Sequence, residues 1–176
     1  SVIAPPMDVF TAGRLAAVAD PAGARFALWQ PGDRPGADAW GEPGMWCWNE
    51  LHTREYAAEQ DFYATVFGWR FGEIGDGDTF IYSAFTAAGE DAACGGARDD
   101  AAMGLPAGTP SHWLTWFCVD DADEAARRTA ELGGTVSVAP GDSPFGRMVV
   151  VTGACGELVG LIDPATTVGE PPVPPS

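Results

Sequence analysis

The side chains best placed to do chemistry together lie in two short stretches. In WCWNELHT, Trp46, Trp48, Glu50 and His52 alternate with Cys47, Asn49 and Leu51, so a strand puts the first group on one face. In HWLTWFC, His112, Leu114, Trp116 and Cys118 share a face in the same way. A Glu and a His two residues apart on one face form a candidate general-base pair, and Tyr82 of FIYSAF is a candidate proton donor, which would suit proton abstraction or epimerisation. Glu50, His52 and His112 are also the set able to approach a divalent Fe, Zn, Ni or Mn ion. Against that reading, the chain has two His, each at a strand end, where a solvated or capping role is the ordinary one.

Other chemistries are excluded by pattern. No nucleophile elbow, phosphate-cradling glycine loop or dinucleotide fingerprint occurs, and GGARDDAAMG and GDGDTF read as turns without the flanking strand and helix. Four cysteines at 47, 94, 118 and 155 form no CxxC pair, so neither a zinc ribbon nor a disulfide framework follows. Cys47 and Cys118 lie in apolar strands as small hydrophobes, and reduced thiols point to a cytoplasmic address. With 25 Asp and Glu against 9 Arg and a formal charge of −16, the chain lacks the basic clusters that bind nucleic acid or an anionic membrane. No apolar run approaches the length of a membrane span, and SVIAPPMDVF lacks the features of a secretory signal.

Positioning these residues requires strands and helices, and the chain repeats itself in supplying them. The stretch 6–29 lies on 140–162 with Arg14 on Arg147, Gly23 on Gly156 and Leu28 on Leu161, each copy reading as a turn, a strand, a Gly-containing hairpin and a strand. The stretch 46–71 has the layout of 112–136: an apolar strand, an acidic turn, an amphipathic helix, a glycine and a new strand. Thr53 followed by Tyr56 opens the first helix as an N-cap would, with Phe62, Val66 and Phe67 at helical spacing. Asp120 or Asp121 caps a second helix over 122–132, which Gly133 and Gly134 end. The pattern is an α+β chain of paired βαβββ modules. It comprises the last three strands of a module at 1–30, a Pro/Gly linker at 31–44, complete modules at 45–98 and 111–163, and a Pro-rich tail at 164–176. The opening half-module implies an upstream portion that completes it. Its three strands must pack on the second domain, pair with another copy or stay loose.

Tandem βαβββ modules, with the phrases FALWQPG, CWNELHTREYAAEQDFYATVFGW, SHWLTWFCVDDADEAA and FGRMVVVTGACG in order, resemble the vicinal oxygen chelate superfamily across nearly the whole length. That superfamily takes in glyoxalases, bleomycin-resistance proteins and extradiol dioxygenases. The detailed match is to its two-domain bacterial branch, labelled hydroxylase or glyoxalase-like. The resemblance implies the glyoxalase/bleomycin resistance/dihydroxybiphenyl dioxygenase-like fold, with sheets closed round a cavity and metal ligands on the first and last strands of each module. Carried over, the first-strand positions fall at Trp48 and Leu114, and the last-strand positions at Gly160 and near Ala93 to Gly95, none of which offers a donor side chain. The expectation is therefore a metal-free cavity. Trp48, Trp116, Phe80 and Tyr82 would wall it, beside His112 and Leu114, with Glu50 and His52 as its polar groups. It would take a small flat apolar molecule or a cation such as an amine or guanidinium, by charge and cation–π attraction. Trp48 and Trp116 serve equally well as core filler, and Glu50 as a solvated strand residue. The alternative is a metal-dependent enzyme, dioxygenase-, hydroxylase- or glyoxalase-like, with ligands upstream or at Glu50, His52 and His112. A third reading is a degenerate half kept for assembly, as a homodimer or against the upstream domain.

Overall fold

The computed structural model describes residues 1–167. Its strands are β1 (Val2–Val9), β2 (Gly13–Ala19), β3 (Arg25–Pro31), β4 (Trp46–Thr53), β5 (Arg70–Glu73), β6 (Tyr82–Thr86), β7 (Ala93–Asp99), β8 (His112–Cys118), β9 (Thr135–Ser143), β10 (Gly146–Thr152) and β11 (Leu158–Asp163). Helix α1 (Tyr56–Phe67) follows β4, α2 (Ala122–Glu131) follows β8, and a short turn of 3₁₀ helix spans Pro164–Thr166. Most of the expected Pro-rich tail, from residue 168 on, lies outside the described residues. The described residues form two compact units, one of residues 1–38 with 50–113 and the other of 39–49 with 114–167, so β4 and β8 each contribute to both.

In the first unit β5, β6 and β7 form an antiparallel run, and β7 pairs parallel with β4, setting Glu50 opposite Gly96 and His52 opposite Arg98. Period-two alternation then sorts the side chains. Leu51 and Ala97 turn toward α1, where they form a core with Tyr63 and Ala24, flanked by Phe62, Phe67, Trp69 and Trp113. Glu50, His52, Arg98 and Tyr82 take the other face. Helix α1 begins at Tyr56 with Glu55 at the N-cap and no side-chain cap, whereas the sequence pattern places Thr53 there. Thr53 Oγ1 instead accepts from the Glu55 N–H at 3.0 Å, which ties the turn before the helix. At the other end Gly68, at φ 68°, returns its N–H to Ala64 O, a conformation that favours glycine.

The three N-terminal strands form their own antiparallel sheet, β1-β2-β3, within this first unit. Within that unit the sheet packs on α1. Phe26 stands 5.6 Å from Tyr63 and 5.9 Å from Phe67, ring to ring. Polar atoms fasten the contact. Trp113 Nε1 donates to the Tyr63 hydroxyl at 3.0 Å, and that hydroxyl donates to Asp20 Oδ2 at 2.9 Å. Asp20 Oδ1 accepts from Ala24 N at 2.8 Å, and Glu59 Oε1 on α1 accepts from Ala22 N at 2.8 Å. Buried polar groups persist when paired in this way.

The second unit repeats the design. Its β11 pairs parallel with β8 and antiparallel with β10, which pairs with β9. Asp121 caps α2 by accepting from Glu124 N at 2.9 Å, which settles the choice between Asp120 and Asp121. Val149 and Val151 face Ala122 and Ala126 of α2, while Met148 and Val150 face the opposite way toward Leu114, Trp116 and Ile162. The repeated arginines hold acidic partners across their hairpins: Arg14 meets Asp8 at 3.0 Å, and Arg147 meets Asp142 at 2.6 Å as well as Asp123.

Candidate functional site

On the face of the first unit turned away from α1, His52 is the centre of a buried polar cluster. Its Nε2 lies 2.7 Å from Glu50 Oε1, and its Nδ1 stands 3.5 Å from Asp100 Oδ1. Arg98 Nε donates to that same Asp100 oxygen at 2.9 Å. The ring of His112 lies over that of His52, with centroids 4.6 Å apart and planes 32° apart. Glu50 and His52 are each only 7% exposed, so neither takes a solvated role. The physical reason is register: parallel pairing of β4 with β7 sets the charged end of β7 against His52.

Electrostatics follow from the geometry. Burial on its own lowers the basicity of His52, but Asp100 and Glu50 together outweigh burial and the repulsion of Arg98, holding the imidazole above its ordinary value of 6.5. Burial raises Asp100, and His52, Arg98 and His112 more than reverse that, leaving its carboxyl below the usual range. A histidine raised in the folded state contributes stability that is fully present below about pH 6.5 and is lost as the pH rises through the folded pKa. NMR titration is expected to place His52 above 6.5 and to show the value falling in Asp100→Asn. An unshifted His52 would contradict this account.

The other anticipated residues fall as follows. Phe80 and Tyr82 stack at 5.3 Å with planes 14° apart, and Tyr82 is buried with its ring over Gly96, where a Cβ would collide with the phenol. Trp48, Leu114 and Trp116 belong to one apolar cluster of the second unit. There Trp116 covers Gly160, its partner in the parallel register, much as Tyr82 covers Gly96. By register Gly96 is to Glu50 what Gly160 is to Trp116, so the last-strand position expected near Ala93 to Gly95 falls one residue later. Cys118 is buried and Cys47 half-buried; burial and the neighbouring Cys118 push the Cys47 thiol up to about 12, an unreactive value.

Arg98 and Asp100 escaped the sequence reading, which took GGARDD for a turn. The only signal available was a run of charge at the end of an apolar segment. Among the described residues no three His, Cys, Asp or Glu side chains are arranged to hold a metal ion. Glu50 engages the Nε2 of His52, and the guanidinium of Arg98 occupies the Asp100 carboxylate. This donor set does not fit a divalent cation. A separate apolar groove of about 260 Å³, lined by Val18, Phe26, Leu28, Phe62 and Phe67 among others, has no ionisable side chain in its wall.

Two successive strand–helix–three-strand units built on a mixed sheet are the plan of a glyoxalase-type α+β protein. Residues 50–161 match the Glyoxalase/Bleomycin resistance protein/Dioxygenase superfamily, and the chain belongs to it. It is 38% identical over 148 residues to the anthracycline biosynthesis protein DnrV of Streptomyces peucetius, covering 83% of this chain and 51% of that protein. It is 35% identical over 167 residues to a Mycobacterium tuberculosis protein named as a glyoxylase, CFP32, covering 93% and 61%. The chain thus spans about half to three-fifths of the length of these curated relatives. Among solved structures it is similar to the Mn(II)-bound glyoxalase of Novosphingobium aromaticivorans, with a TM-score of 0.56 and 18% identity over 96% of this chain and 57% of that one. The 2,3-dioxygenase LapB of Pseudomonas sp. KL28 gives 0.60 and 13% over 99% and 65%. These two likenesses speak for the fold alone. No helix among the described residues is long and apolar enough to cross a membrane.

Proposed function

We propose that this chain binds a small, flat organic molecule without a resident metal, on the face of its first unit that carries Phe80, Tyr82, Glu50 and His52. The observation that carries this reading is the 2.7 Å contact between His52 Nε2 and Glu50 Oε1, with Asp100 held by Arg98: the potential ligands are engaged with one another. Phe80 and Tyr82 supply a stacked aromatic wall on the same side of the sheet, and such walls give flat ligands contact area while a few polar groups orient them. The names of the similar proteins, one for anthracycline biosynthesis and one as a glyoxylase, support a small-molecule ligand.

Elemental analysis of the purified protein, combined with calorimetric titration against aromatic and cationic compounds before and after chelator treatment, tests this. Binding that survives the chelator and is lost in Tyr82→Ala is the expected result. Stoichiometric Fe, Zn, Ni or Mn, released by His52→Ala and His112→Ala together with binding, would establish the metal-dependent alternative. A protein that binds none of the compounds would match the assembly reading.

A further inference from the structure

Among the described residues, strands β1, β3, β5 and β9 each pair on one side only, so each leaves a row of backbone N–H and C=O groups open to another chain. Three of these edges are defended. β1 carries Pro5 and Pro6, which have no N–H to offer, and its pairing with β2 shifts register twice. β9 carries Pro140, and its pairing with β10 also shifts twice. β5 is four residues long, with Arg70 and Glu73 at its ends. β3 has none of these protections. Its register with β2 runs unbroken from Arg25 to Pro31, and neither a charged residue nor a proline lies between those two. All of its residues except Phe26 are exposed.

The internal repeat shows what covers such an edge elsewhere in the same molecule. With 6–29 laid on 140–162, β3 corresponds to β11 and β2 to β10. The side of β11 away from β10 is taken by β8, which runs parallel to it with Gly160 opposite Trp116 and Ile162 opposite Cys118. The helix after β8, α2, then packs with Val149, Val151, Val159 and Leu161. Those four positions correspond to Ala16, Val18, Phe26 and Leu28. Val18, Phe26 and Leu28 line the apolar groove of about 260 Å³, whose wall also includes Val2 and, from α1, Val66. Helix α1 reaches Phe26 through Phe67 but leaves Val2, Leu28 and Val66 exposed. Phe26 and Leu28 belong to β3 itself, so the open edge and the open groove adjoin, as the seats of β8 and α2 do.

We propose that β3 is a docking edge for a strand–helix segment: the strand adds to β3 in parallel, and the helix that follows lays an apolar stripe in the groove. The occupant is the piece that the opening half-module lacks. Main-chain hydrogen bonds along β3 provide affinity, and Val18, Leu28 and Val66 select the helix. A second copy of the chain fits this seat less well, because the unpaired strand it has to offer is its own β3, with the Pro/Gly linker and no helix behind it.

A peptide of residues 110–134, the strand and helix that fill this role in the second unit, serves as the probe, with a nitroxide on its N-terminus. Added to the full isotopically labelled chain, it is expected to bind one to one, to shift the amide resonances of residues 25–30, and to broaden Arg25 more than Gln30, the order that a parallel strand dictates. Leu28→Asp is expected to weaken binding at least about tenfold, while Val138→Asp on the β9 edge leaves it unchanged. No binding, undiminished binding to Leu28→Asp, or broadening centred on Gln30 would overturn the proposal. So would a dimer of the chain alone in sedimentation with residues 25–30 protected from hydrogen exchange, which would make a second copy the occupant. Should Leu28→Asp not fold, the direction of broadening in the unaltered chain decides.

Discussion

At pH 8 the Glu59→Gln protein is expected to be more stable than the parent by about 2 kcal/mol, and at pH 4.5 the advantage is expected to vanish. Glu59 sits on α1 at 1% exposure, and its Oε2 is buried with no hydrogen-bond partner. Burial, and then the charge of Asp20, push its carboxyl from 4.5 up to about 7. An acid raised in the folded state keeps its proton after the unfolded chain has released it, so its contribution to stability falls between about pH 4.5 and 7 and stays low above that. Glutamine keeps an oxygen for Ala22 N–H, adds a donor toward Asp20 and removes the buried charge. Urea unfolding across this range checks the claim, and hydrogen exchange of residues 1–31 localises it, because Glu59 and Asp20 join the N-terminal sheet to α1. Identical pH dependence in parent and variant would refute it.

Gly160→Ala is expected to destabilise the second unit by about 2–3 kcal/mol, a large effect for a single added methyl. The backbone conformation is not the cause. A Cβ at this position falls within the indole of Trp116, and that ring is itself 6% exposed and packed with Leu114, Cys118 and Ile162, so it has nowhere to go. Gly96→Ala meets the Tyr82 phenol in the same way, and there the displaced ring belongs to the proposed ligand wall, so weakened binding is expected beside lost stability. Combining Gly160→Ala with Trp116→Leu should cost less than the sum of the two changes, since the smaller side chain leaves room for the methyl. Additive costs in denaturant unfolding would show that the contact is not the reason for glycine.

Parts of the site are legible in the sequence because they depend on local spacing. Glu50 and His52 share a face by alternation, and the structure keeps them together at 2.7 Å. Phe80 and Tyr82 stack for the same short-range reason. His112 and Trp113 are adjacent yet diverge, one to His52 and the other to Tyr63, as strand alternation requires. Arg98 and Asp100 were not legible, since nothing near position 52 signals a partner so far along the chain. The Thr53 cap failed on a smaller scale: capping depends on the dihedral angles of the turn, and here the turn runs two residues further before the helix begins.

By itself the sequence determined the repeated strand–helix–three-strand plan, the superfamily, and the face of each strand on which a residue falls, because side-chain periodicity and turn chemistry act over a few residues. The tertiary structure decided what those residues do. Parallel register of β4 with β7 sets His52 between two carboxylates, and docking of the N-terminal sheet on α1 turns Asp20 and Glu59 into a buried pair. Both outcomes arise from contacts between segments far apart in the chain, which local patterns do not encode.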